Sequence, residues 1–170
     1  IKLNSVGAGP MNAHRTMLNT SPATLKSLTM NESIVLLAMR KSLEGKAGLP
    51  DIHHLLFDMF GIFYIEMSIL AFEAMVNALA ENSRGTFYLF RPTCQKVSND
   101  ELSILNLIAA CQNGNGVSVN SMVSEIVEPN GADKLLGAVS FLAEALDARR
   151  SIFSLRGYRP LPLLSVSGSA

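Results

Sequence analysis

The sequence predicts an all-α domain, or very nearly one: a compact bundle of five to six helices with one short extended segment. Three observations predict it. Thr29-Met30-Asn31-Glu32 and Ser98-Asn99-Asp100-Glu101 each precede apolar positions at helical spacing. In such a capping box a hydroxyl takes the third amide of the helix and a glutamate reaches back to the cap. The stretch "GIFYIEMSILAFEAMVNALA", 61–80, is apolar but interrupted at helical intervals by Glu66, Glu73 and Asn77. Against these stands a single run of strand formers, "TFYLFRP" at 86–92.

In chain order, residues 1–28 carry Gly7, Gly9, Pro10 and Pro22 among small polar residues, and read as a flexible N-terminal arm. A single helical domain is expected over 29–155 and an irregular tail over 156–170. The Thr29 box opens a first helix with Ile34, Leu37, Ala38 and Lys41 at helical spacing, closed near Gly45. Pro50-Asp51 opens a shorter second helix with Ile52, Leu55, Leu56 and Met59 on its apolar stripe, and Gly61 ends or kinks it. The third and longest helix is expected from about Phe63 to Glu81, with Ile65, Ile69, Phe72, Val76 and Leu79 inward.

Phe87, Tyr88 and Phe90 favour a strand that Pro92 stops. Its backbone groups need partners. Three are open: "SIFSL" at 151–155, the helices it lies on, or the same strand of a second subunit. The Ser98 box starts a helix apolar on nearly every side, with Ser103, Asn106 and Asn113 as its polar line, so this helix is expected to be central. "VNSMVSEIVEP" gives a short helix to Val127. The last helix, about 132–150, places Leu135, Val139, Leu142 and Leu146 on one face, with Arg149 and Arg150 at its carboxyl end.

The segments "HHLLFDMFG", "RPTCQKVSNDELSILNLIAACQNG" and "FLAEALDARR" resemble a domain-of-unknown-function family of small, mostly alphaproteobacterial proteins. The likeness covers roughly residues 33–150. It implies the helical fold and brings no activity. Members often carry further cysteines before the "DE" segment, whereas only Cys94 stands here, so no metal site is inherited.

Of 170 residues 48% are apolar and only 16% charged, 14 basic against 14 acidic. That is fewer charges than the usual quarter. The chain therefore owns more apolar surface than one small body hides, and self-association as a homodimer is expected. The long helix 63–81 or the segment 86–92 would be buried in it. The balanced charge gives no general pull towards nucleic acid or an anionic membrane. A membrane span at 61–80 is disfavoured, because each acid at a bilayer centre costs about 2.5–3.5 kcal/mol. Two cysteines outside any motif and no apolar leader at the start of the sequence read as a cytoplasmic chain.

Candidate chemistry is sparse. Cys94, with Arg91 in the same extended entry, precedes a helix start that can lower a thiol pKa, but Asp100 and Glu101 oppose a thiolate there. This leaves a small enzyme or redox protein using Cys94 as one alternative. Cys111 reads as core. His54 and Asp58 are four apart on one helix face, within pairing distance. His53 and His54 point apart and cannot share a metal, and no zinc-ligand spacing occurs. No phosphate-cradling glycine pattern or nucleophile motif is present, so no cofactor is expected. Residues 100–127 resemble a helix-turn-helix in outline, yet its second helix carries Glu125 and Glu128 and no basic residue. Arg156 and Arg159, with Arg149 and Arg150, are the basic cluster for a second alternative, a nucleic-acid-associated protein. The favoured expectation is a non-catalytic binding module that self-associates and offers an apolar groove to a protein partner or a lipophilic small molecule.

Overall fold

The computed structural model describes residues 3–5, 23–114 and 116–156. It is mostly helical, with six α-helices: α1 Met30–Lys41, α2 Leu49–Phe60, α3 Ile65–Asn82, α4 Asn99–Gln112, α5 Gly116–Ile126 and α6 Pro129–Ala148. Short 3-10 turns cover Leu25–Ser27 and Ser42–Gly48. Both predicted capping boxes form, with the Thr29 and Ser98 hydroxyls accepting from the Glu32 and Glu101 amides. Gly61, at φ 68°, ends α2 as expected, its N–H donating to the Phe57 carbonyl at 2.8 Å.

The extended segment contains strand β2, Phe87–Leu89. On one side it meets the start of α4, where the Tyr88 and Phe90 N–H groups donate to the Asp100 and Glu101 carboxylates, and on the other it has an unforeseen partner. It pairs in parallel with β1, Leu3–Ser5, in the register Leu3 to Phe87 and Ser5 to Leu89. Residues 3–5 therefore belong to a sheet, as a piece of the expected arm. Thr24, a little further on, bridges Lys96. Residues 151–155 form no strand. Phe87 and Leu89 point into the core, while Tyr88 and Phe90 are half-buried.

α4 is the central helix: Ile104, Leu105, Leu107 and Ile108 have no exposed surface. α3 and α6 lie antiparallel. At one end of the pair, a Cβ placed on Gly131 would sit 2.4 Å from the Asn82 Cβ, so the Asn82 side chain occupies the space that any side chain at 131 would need. At the other end, Gly61 lies against the Arg149 guanidinium. Among the described residues no helix is long and apolar enough to cross a membrane.

Candidate functional site

One end of the molecule gathers most of the large apolar side chains that the core leaves out. The carboxyl end of α2, the following turn and the start of α3 expose Phe57, Ile62, Phe63, Tyr64, Met67 and Leu70. Phe63 is 94% exposed and Ile62 73%. The α1 start is tied to the same region, since the Asn31 side-chain amide donates to the Ser151 hydroxyl at 2.6 Å, just beyond the end of α6. Exposed Met30 and Ile152 flank that hydrogen bond. Phe63, Met67 and Leu70 follow at i, i+4 and i+7, an apolar seam beginning in the turn and continuing along α3.

The local sequence makes this end protrude. Gly61 turns the chain in a left-handed conformation, and the turn closes with the Tyr64 N–H on the Gly61 carbonyl at 3.3 Å. α3 then starts from Tyr64, which supplies no side-chain cap. Helix starts favour Ser, Thr, Asp or Asn, so 62–64 carries bulk where local stability asks for a cap. Charges of both signs border the patch. Asp58 and Glu66 are exposed beside it, as are Arg149, packed against Gly61, and Arg150. The predicted pair is here too, with His54 Nε2 3.7 Å from Asp58 Oδ2 on the outer face of α2. Glu66 and Glu73 are both solvated.

Two further arrangements clamp extended chain onto helix starts. Glu101 is fully buried, and its carboxylate accepts from Arg40 Nε and Nη2 at 2.8 and 2.9 Å, the Ser98 amide at 2.8 Å and the Phe90 amide at 2.9 Å. Arg40, also buried, donates to the carbonyls of Cys94 and Lys96, both at 2.6 Å. The Cys94 loop is thus held by its backbone. Arg91 and Cys94 share one turn, closed by the Cys94 N–H on the Arg91 carbonyl, and Arg91 borders a shallow cleft with Lys41, Glu44 and Thr93.

Glu32 repeats the device at the start of α1. It accepts from the Thr29 amide at 2.7 Å, Arg156 Nη2 at 2.7 Å and the Ser154 amide at 3.2 Å. Burial alone would raise its pKa, but these donors outweigh burial and hold the carboxyl below its usual value. Arg156 also donates to the Ser27 carbonyl, so the guanidinium proposed for nucleic acid is engaged inside the protein. Arg159 lies outside the described residues.

Residues 151–156 form a strap read by side-chain amides of α4. Asn106 accepts from the Arg156 N–H and donates to the Arg156 carbonyl, at 2.7 and 2.9 Å. Gln112 accepts from the Phe153 N–H and donates to the Ser151 carbonyl, at 2.8 and 2.7 Å. Each amide copies the pairing a neighbouring strand would provide. Asn106 is therefore buried beneath the strap and does not belong to a solvent line. Its unexplained place on so apolar a helix was the one available signal.

Cys111 borders a second shallow cleft with Ser140, Glu144 and Asp147. Burial pushes its thiol pKa up, against a hydrogen bond with Ser140 that lowers it. Among the described residues, no three His, Cys, Asp or Glu side chains are placed to hold a metal ion. No family model, curated protein or solved structure matches the chain.

Proposed function

We propose that this chain is a non-catalytic binding module that pairs with a second copy of itself through the apolar end. The observation that carries this reading is the exposure of six large apolar side chains between Phe57 and Leu70, with Phe63 standing almost free of the fold. Contiguous apolar surface of that kind marks an interaction site. The border favours a copy of the same surface over an anionic membrane. Asp58 and Glu66 repel acidic headgroups, whereas a two-fold axis brings one subunit's acids to the other's Arg149 and Arg150.

Sedimentation velocity at tens of micromolar tests the reading. The wild-type chain is expected to run as a dimer that Phe63→Ser with Met67→Gln converts to a monomer of unchanged helicity. Both side chains are largely outside the core, so the variant keeps its fold. A monomeric wild type overturns the proposal.

A further inference from the structure

We infer that the 91–96 loop is a docking surface for an acidic, extended segment of another protein. Its carboxylates lie on Arg91, Lys96 and Lys26, and one aliphatic side chain enters the cleft beside Pro92. This surface is separate from the apolar one. α1 starts beside the apolar end, where Asn31 meets Ser151, and Lys41 lies about 15 Å further along it at 1.5 Å per residue. α2 returns over the same span: Asp51 in its first turn binds Lys41 at 2.8 Å, and Gly61 closes it at the apolar tip. The loop sits at the Lys41 end, across a cleft of about 380 Å³ whose walls include Leu43 and Pro92 and whose rim carries Arg91, Lys41 and Thr93.

Two features carry the inference. The first is a group of cations with no acid to meet them. Glu44 and Asp51 are bound by Lys41 at 3.2 and 2.8 Å, Glu101 by Arg40 at 2.8 Å, and Asp100 accepts the Tyr88 N–H at 2.8 Å. Among the described residues, exposed Lys26, Arg91 and Lys96 have no ion pair. Lys26 is held beside the loop, because the Leu25 N–H donates to the Gln95 carbonyl and the Val97 N–H to the Ala23 carbonyl, both at 2.9 Å. Such a surface is complementary to carboxylates. The second is that the loop is rigid before anything binds. Buried Arg40 pins the Cys94 and Lys96 carbonyls from beneath, so Arg91, Thr93, Gln95 and Lys96 are presented outward at little further cost in entropy. A peptide fits better than a nucleic acid. Exposed Glu44 and Asp51 interrupt any track of phosphates, and Tyr88 and Phe90, half-buried behind the loop, offer no open ring for a base to stack on.

Fluorescence anisotropy on the full chain tests this. The probe is a labelled peptide of alternating Glu and Asp with one central Leu. Its controls are the Gln/Asn peptide of the same pattern and an oligothymidylate of similar length. The acidic peptide is expected to bind, to weaken as salt rises, and to lose about tenfold in affinity for the chain carrying Arg91→Ser and Lys96→Ser. Both side chains are exposed, so that variant keeps its urea midpoint. The chain carrying Phe63→Ser and Met67→Gln is expected to bind the peptide as the wild type does, and loss of binding there would place the peptide at the apolar end and overturn the inference. So would absence of binding at millimolar peptide, equal binding of the Gln/Asn peptide, or an affinity that survives the loss of Arg91 and Lys96. Tighter binding of the oligothymidylate overturns it in favour of a surface that follows phosphates.

Discussion

Arg40 and Glu101, 61 positions apart, meet as a two-point ion pair in which neither side chain reaches solvent. The pair does more than neutralise itself. Through Glu101 it satisfies the Ser98 and Phe90 amides, and through Arg40 it fixes the carbonyls of Cys94 and Lys96. A helix start, an extended segment and a loop therefore depend on one contact.

Removing one partner leaves the other charge buried without its counterion, which costs about 3–5 kcal/mol. Glu101→Gln is the sharper variant, because glutamine keeps the size and shape of the capping side chain but removes the charge and turns one accepting oxygen into an NH2 that faces two donors. Urea midpoints are expected to fall strongly for Glu101→Gln and for Arg40→Met. The double variant is expected to lose clearly less than the sum of the two. Additive losses in that cycle would show the charges to be independent.

The pair also shows which parts of this fold a sequence reveals. The capping boxes are visible because their members are three residues apart, as are the helices, through their apolar periodicity. The second duty of each capping glutamate is not visible. Arg40 and Arg156 lie 61 and 124 positions from their carboxylates, and local spacing carries no trace of either. The partner of β2 was missed for the same reason, since Leu3–Ser5 is short and lies more than eighty residues upstream. The apolar end was half legible. The shortage of charge announces uncovered surface, but periodicity alone assigns Phe63 to a helix, and only the Gly61 turn sets it at the tip of the molecule.

Glu32 should make the strap sensitive to acid. Its folded pKa is depressed, so the unfolded chain binds this proton more readily than the folded one. The stabilisation is fully present above the unfolded carboxylate value of about 4.3, and is lost as pH falls through the lower folded value. Arg156→Gln removes one of the donors responsible and is expected to cost about 1.5–3 kcal/mol at pH 7, as for a hydrogen bond to a charged group. Denaturation curves for the two proteins should converge as pH falls from 5 towards 3 (order-of-magnitude limits from the same carboxylate range). A gap that stays constant would assign the loss to packing.

Arg150 occupies the place where helices most often carry glycine. The Ser151 N–H returns to the Leu146 carbonyl at 2.9 Å and the Arg150 N–H to Asp147 at 2.8 Å, the paired bonds of a Schellman ending. A side chain at positive φ costs about 1–2 kcal/mol, partly offset in glycine by its greater freedom when unfolded. Arg150→Gly is thus expected to stabilise the folded chain by about 0.5–1 kcal/mol, raising Tm by about 1–4 °C at this size. A lower Tm would mean that the arginine makes a stabilising contact larger than its strain.

Two glycines on α6 should respond with opposite signs to the same substitution. At Gly137 a new Cβ meets nothing within 4 Å, and alanine is the better helix former by about 0.8–1.0 kcal/mol. Gly137→Ala should raise the denaturation midpoint. At Gly131 the same methyl group would lie 2.4 Å from the Asn82 Cβ and 2.7 Å from its Cγ. Neither is the free end of a flexible chain: the Asn82 Nδ2 donates to the Ala78 carbonyl, and the Asn82 carbonyl accepts the Glu128 N–H. Relief requires α3 and α6 to part, and overpacking of that kind costs about 1–3 kcal/mol. Gly131→Ala should therefore lose stability despite its gain in helix propensity. Equal shifts at the two sites would mean that the close crossing of α3 and α6 is absent in solution.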